Sequence, residues 1–439
     1  QPYTTPTHGC AIPPATSPPA TSRPAAPQAR TGDRTPPPAR QADARHAAMG
    51  SPEDDISELA KAFLAEDHAR IDARLPGWLE ELTRVGANQC WHKRSTFKAH
   101  LYHVYQILKM WGQDDDVTSC GLFHSAYSNS YVNLAIFKAE ADGRPRVKQM
   151  VGDSAEALIH RFCVVPRHQL IYDHLVKPLQ DVYDKSKLVV PREGVTVPHI
   201  HTGEPVVVDR YEVAQILIMT IADFSEQWFS WQDTMFENKD GRMHYAGHKA
   251  AVLWPGPMKP GLFHSACSRF GLLARSCLDK GCSDEQPTIL GRPAPRMPPV
   301  FNHCTELLLE TDQQAALDAY WEAVTQCDVP ERSADAQRLL EACARHNPYV
   351  AEPHTMLAQL HLNRGDFGAA LPAARTALRL HLQWATAWDK RLSWDSWVAW
   401  TRVLLHAARN GAAGMTSAWP PPDTPFGMIN LGLVPDMGY

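Results

Sequence analysis

A chain of 439 residues with 44% apolar content is long enough to bury two or three sizeable cores. Its formal charge of −5 supplies no basic field for nucleic acid or for an anionic membrane surface, and no run of eighteen apolar residues exists to span a bilayer. Its ten cysteines form no CxxC pair and no regular framework, as expected of reduced thiols in an intracellular, cytoplasmic protein.

Residues 1–48 are rich in Pro, Ala, Ser and Thr, hold no Leu or Phe, and show no apolar period, so a disordered segment is expected there. Its arginines (Arg23, Arg30, Arg34, Arg40, Arg45) loosely resemble those of an organelle transit peptide, although the prolines oppose an amphipathic helix. Translated sequence upstream of Met49 accounts for the segment equally well. From Ser51 the texture changes. The acids of SPEDD cap and charge a first turn, and Ile56, Leu59, Phe63 and Ile71 predict a helix to about Ala73. A second helix follows Pro76, with Trp78, Leu79, Leu82 and Val85 on its apolar face.

The stretch from Trp91 to Ser130 is the one around which the rest is organised. Phe97, Leu101, Val104, Leu108 and Trp111 recur at helical steps and define a buried stripe, with His100 and His103 beside it and pointing inward. An acidic turn, Gly112 to Asp116, makes the next helix an antiparallel neighbour. There Gly121-Leu122-Phe123 leads into His124 and Ser125, which reads as a short helix start delivering an imidazole. Residues 147–163 read as two helices broken at Gly152 and Asp153, and residues 192–209 as a hairpin around Thr202-Gly203. A long apolar helix follows over residues 210–236. Asp223 lies on it, and an unpaired buried carboxylate would cost several kcal/mol, so it demands a cation, a donor or a proton. His100 and His124 are the partners on offer. Two imidazoles and a carboxylate on three helices make a first shell for Fe, Mn, Zn or Co with positions left open; they equally make a hydrogen-bonded buried network.

Residues 241–300 are rich in Pro, Gly and aromatic residues and read as a connection wrapped on the first domain. Three helical periods follow, over residues 312–327, 333–346 and 349–362. Leu357-Ala358, Gly365-Asp366-Phe367, Ala370-Leu371 and Ala377-Leu378 together are similar to a tetratricopeptide repeat. A final helix is expected from Trp384 to Ala408. Its five tryptophans (Trp384, Trp388, Trp394, Trp397, Trp400) suit core packing or a face for a protein partner. Residues 413–439 read as an extended tail.

FKAHLYHVYQILKMWG, CGLFHSAY, VGDSAEALIHRFCVVPR and IADFSEQW together resemble the HD superfamily of helical metal-dependent phosphohydrolases. They are closest to an uncharacterised HD-like domain of unknown function, over roughly residues 80–233. The resemblance implies His100, His124 and Asp223 as metal ligands, with His92 matching a further histidine of that pattern. One departure is plain: the eponymous His-Asp doublet is here His124-Ser125, and a hydroxyl is a far weaker ligand than a carboxylate. A dinuclear centre is thereby disfavoured, and His103 or His92 is left to fill a mononuclear one.

The expected architecture is mainly α: a disordered segment (1–48), an HD-like helical domain (51–240), the Pro/Gly-rich connection (241–300), a smaller TPR-like helical domain (301–412) and the tail. The expected activity is hydrolysis of a nucleotide or small phosphate ester. Lys93 and Arg94 would hold phosphate, or else stand solvated at a helix start, and Glu226 would act as base or as orienter of a ligand. His160, His168, His199 and His201 read as loop or surface histidines, with PHIHTG able to close over a pocket. The contrasting reading is a non-catalytic scaffold whose C-terminal helices bind protein. Neither reading involves nucleic acid or a membrane.

Overall fold

The computed structural model describes residues 57–92, 95–130, 135–176, 184–235, 260–327, 332–389 and 392–412. The expected disordered segment, the tail, Lys93, Arg94 and the first part of the Pro/Gly-rich connection lie outside these residues. The protein is mainly α. Among the described residues the strands are three short antiparallel pairs: β1 (Trp91–His92) with β2 (Ser95–Thr96), β3 (Val195–Pro198) with β4 (Pro205–Val208), and β5 (Thr288–Ile289) with β6 (Arg292–Pro293). Among the described residues no helix is long and apolar enough to cross a membrane.

The first expected helix is interrupted. Ser57 caps α1 (Glu58–Leu64), its hydroxyl accepting from the N–H of Ala60, and the chain then turns at Glu66 with φ +53°. Asp67 caps the short α2 (His68–Ile71). Pro76 opens α3 (Leu75–Arg84), where its missing N–H costs nothing, and Leu75, Trp78, Leu79 and Leu82 are buried.

Thr96 caps α4 (Phe97–Met110), and the apolar stripe Phe97, Leu101, Val104, Leu108 is buried with His100 among it. The next helix, α5 (Asp115–Phe123), starts earlier than the sequence suggests. The Asp114 carboxylate accepts from the N–H of Val117 at 2.8 Å, so the acids read as a turn are a helix cap and first turn. His124 therefore ends a helix rather than beginning one. Gly121 lets α4 and α5 come close, for a Cβ there would stand 2.5 Å from Cδ1 of Leu108 and 3.5 Å from the backbone of Tyr105.

Gly152, at φ +92°, separates α6 (Arg144–Val151) from α7 (Asp153–Val164), where the sequence placed a break, though Asp153 is the first helical residue and not the cap. The β3–β4 hairpin has the expected turn. The long helix α8 (Arg210–Met235) has every residue from Val213 to Phe224 buried, the mark of a helix enclosed on all sides. It packs on α4 and α5, and this brings its one buried acid to the histidines.

Residues 260–276 depart from expectation. Composition suggests an irregular connection, yet α9 (Pro260–Ser276) is a helix, with Ala266, Cys267, Phe270, Leu273, Ala274 and Cys277 buried at helical steps. Pro260 opens it, and Gly271 sits beneath the Phe301 ring, so neither residue breaks it. After α10 (Val300–His303) come α11 (Glu310–Gln326), α12 (Ser333–His346), α13 (Glu352–Asn363), α14 (Phe367–Trp384) and α15 (Trp394–Ala412), which pack as successive neighbours. The expected helix from Trp384 to Ala408 is two pieces, because α14 ends at Trp384 where Ala385 takes a left-handed conformation. Trp384, Trp388, Trp397 and Trp400 are buried, and Trp394 is half-buried with its Nε1–H on the His381 carbonyl.

The α9 helix is the seam against which the later helices lie. Ser265 exchanges hydrogen bonds with the Leu308 backbone, Ser268 bonds the Tyr349 hydroxyl at 2.7 Å, and the His264 ring stacks on Trp384 with centroids 3.5 Å apart.

Candidate metal centre

His100 from the first turn of α4, His124 from the end of α5 and Asp223 from α8 meet in the interior, each almost wholly buried. One ligand atom from each lies within 4.8 Å of the others. Nε2 of His100 is 3.3 Å from Nε2 of His124 and 3.5 Å from Oδ1 of Asp223.

The remote nitrogen of each ring is committed elsewhere, and this determines where the protons are. Nδ1 of His124 stands 2.8 Å from the Gly121 carbonyl, which can only accept, so Nδ1 carries the hydrogen and Nε2 a lone pair. Burial depresses the His124 imidazole to about 4, which keeps it neutral near pH 7. Nδ1 of His100 faces the Glu226 carboxylate at short range and donates to it. Burial pushes the Glu226 carboxyl up, but its hydrogen bonds from His100 and His103 outweigh that and hold it at about 2. With that hydrogen on Nδ1, the neutral form of His100 also presents a bare Nε2. Two lone pairs point into one small space.

Asp223 has protein donors of its own. Arg167, 0% exposed, donates from Nη1 to Oδ2 at 3.2 Å, and Gln227, one turn along α8, donates to Oδ1 at 2.6 Å. Burial is the largest influence on this carboxyl and pushes it up; His124, the Arg167 guanidinium and His100 together hold it down at about 2. The guanidinium lies over the Phe162 ring at 4.1 Å and its Nη2 reaches Oδ1 of Asn129 at 3.4 Å. Asn129 in turn donates to the Ser125 hydroxyl at 2.6 Å. Next to His124, Ser125 thus presents a hydroxyl tied into a chain of dipoles ending on a fixed cation. A second divalent ion beside that cation would be repelled.

The remaining sequence candidates separate clearly. The His92 ring packs on His100, centroids 4.4 Å apart, and is not one of the converging ligands. His103 is half-exposed with its Nδ1 3.5 Å from Glu226 Oε1, so it faces the carboxylate behind His100 and not the centre. Glu226 hydrogen-bonds Nδ1 of His100, the ring nitrogen away from His124. Cys120 and Cys163 are buried thiols pushed upward by burial, in keeping with core residues. Arg167, Asn129 and Gln227 are the residues that sequence reasoning missed. The signal for Arg167 was the unbalanced charge of Asp223, together with an arginine closing the VGDSAEALIHRFCVVPR segment.

Residues 81–167 match the model of a domain of unknown function, DUF6817. The matched stretch contains His100 and His124 and ends on Arg167, while Asp223, Gln227 and Glu226 lie beyond it. No curated protein and no solved structure matches the chain.

Proposed function

We propose that the chain is a metal-dependent hydrolase of HD-like type, binding one divalent ion (Fe, Mn, Zn or Co) through His100, His124 and Asp223 and acting on a nucleotide or small phosphate ester. The observation that carries this reading is the pair of bare ring nitrogens. Two lone pairs 3.3 Å apart repel unless a cation lies between them. Two nitrogens bound tetrahedrally to one ion at about 2.0–2.1 Å stand roughly 3.3–3.4 Å from each other. The donor set fits. Such an ion, when bound, activates water and takes up charge on a phosphoryl oxygen.

The chain's own residues do the positioning. Glu226 holds the His100 ring, the Gly121 carbonyl holds His124, and Arg167 with Gln227 fixes the Asp223 rotamer. Arg167 also places positive charge beside the centre, which favours an anionic substrate. Lys93 and Arg94, next to β2 in sequence, are proposed to add to that charge at the substrate's phosphate.

One observation favours a second reading. Asp223 already has donors to both oxygens, so the cluster is satisfied without an ion if a proton bridges the two rings. In that case the domain is a scaffold, and the TPR-like helices α11–α15 bind a protein partner. Metal analysis of the purified full-length chain separates the two. The hydrolase reading expects about one ion per chain, lost in His124→Ala together with turnover of 4-nitrophenyl phosphate. Metal-free protein whose melting temperature is indifferent to that substitution leaves the scaffold.

A further inference from the structure

A cleft lies on the opposite side of α7 from the triad. Phe162 and Cys163 face His124, whereas His160 and Val164, on the other face of the same helix, line two adjoining cavities of about 530 and 460 Å³. The cavities share Arg144, His160, Val164 and His199, so they are two lobes of one site, within the size range of small-molecule pockets.

The smaller lobe takes basic groups from Lys138, Arg144, His160, His199 and His201, with no carboxylate among its described lining residues. Its donors are set in advance. Arg144 gives Nε and Nη2 to the two oxygens of the buried Glu156 at 2.7 and 2.8 Å, and the Tyr127 hydroxyl donates to the same carboxylate at 3.0 Å. The guanidinium is thereby locked in orientation. Nδ1 of His199 accepts from the backbone N–H groups of His201 and Thr202, each at 3.2 Å, so the ring hydrogen is on Nε2 as a donor. Thus the PHIHTG turn, the start of α6 and the face of α7 each bring basic groups to one cavity. The larger lobe has a different character. Its polar groups are of both kinds: Asp116, which accepts from the Ser154 hydroxyl, Glu212, which accepts from Arg161 and the Asp209 N–H, and Gln215 stand beside Arg161 and Arg292, whose guanidinium lies over the Tyr211 ring.

We propose that this cleft binds a small phosphorylated, hydroxyl-rich molecule of the sugar-phosphate class, with its phosphate in the basic lobe and its hydroxyls among the mixed donors and acceptors of the larger lobe. A locked arginine edge, a preset imidazole donor and a lysine suit a tetrahedral polyanion, and hydroxyls, which both donate and accept, suit a neighbouring wall of carboxylates, an amide and guanidinium groups. The site uses none of the triad's residues and needs no metal.

Isothermal titration of the full-length chain with glucose 6-phosphate, inorganic phosphate and glucose tests it. Glucose 6-phosphate should bind at least about tenfold more tightly than phosphate, and glucose should give no heat. His160→Gln and Lys138→Gln, each with an unchanged melting temperature, should weaken the sugar phosphate by about fivefold or more; His124→Ala should not. The proposal is overturned if neither phosphate compound binds, if the sugar adds nothing to phosphate, if the two cleft variants bind like the parent, or if His124→Ala abolishes binding and so assigns it to the triad.

Discussion

Nδ1 of His100 and the carboxylate of Glu226 are hydrogen-bonded across the contact between α4 and α8, although 126 residues separate them in the chain. This bond decides which His100 nitrogen faces the centre, because a carboxylate behind an imidazole draws the hydrogen to its own side.

Replacing that carboxylate by an amide should loosen the ring and weaken its basicity. For Glu226→Gln the expected loss of metal affinity is roughly 10- to 100-fold, read by competition with a chromophoric chelator. His103→Ala, which touches only the far side of Glu226, should change affinity much less. Equal affinities in the parent and Glu226→Gln would remove Glu226 from the account.

Arg167 and Asp223 form a buried ion pair, and removing one member leaves the other uncompensated. Arg167→Met should destabilise the fold by about 3–5 kcal/mol, seen in denaturant unfolding. A divalent ion bound at the triad would neutralise the stranded carboxylate. Added Zn or Mn should therefore raise the melting temperature of Arg167→Met more than that of the parent; an equal rise in both would argue that no ion reaches Asp223.

Glu352 gives a pH dependence that is separate from the centre. Burial raises its carboxyl from an ordinary 4.5 to about 7, with the nearby Asp389 charge adding to the effect and the backbone N–H groups of Trp388 and Asp389 opposing it. The folded chain then holds a proton that the unfolded chain releases. The stabilisation is complete below about 4.5 and is lost as pH rises through about 7, an effect of about 3 kcal/mol. Glu352→Gln keeps an oxygen for the two N–H groups and cannot ionise, so it should flatten this part of the stability-versus-pH curve in urea unfolding. A parent curve already flat between those values would refute the assignment.

Trp384 stacked on His264 ties α14 to α9. Trp384→Ala should cost about 3–5 kcal/mol in denaturant unfolding, whereas Leu382→Ala, at an exposed position two residues earlier, should cost little. Similar losses at both positions would contradict the packing described.

The helices and most of the centre were readable because they follow local rules. Phe97, Leu101, Val104 and Leu108 recur at helical steps, and a histidine inside that stripe or an acid inside the apolar run of α8 is conspicuous. Boundaries were harder. Three successive acids before Val117 suit a turn as well as a helix cap, and only the Asp114 side chain's bond to the Val117 N–H decides between them. At α9, Pro260 and Gly271 disguised a helix that tolerates both. The break at Ala385 has no glycine to announce it. Arg167 was hard to single out as a partner for another reason: it is 56 positions from Asp223 in the chain, and many cations could have met that charge. Only packing selects one.

His124 closes the helix that carries it, spending its Nδ1 hydrogen on a carbonyl three residues back. One side chain therefore both terminates α5 and orients itself, and it does so with atoms from a single turn of chain. This half of the centre can assemble as soon as that turn winds, before α8 arrives with its acid.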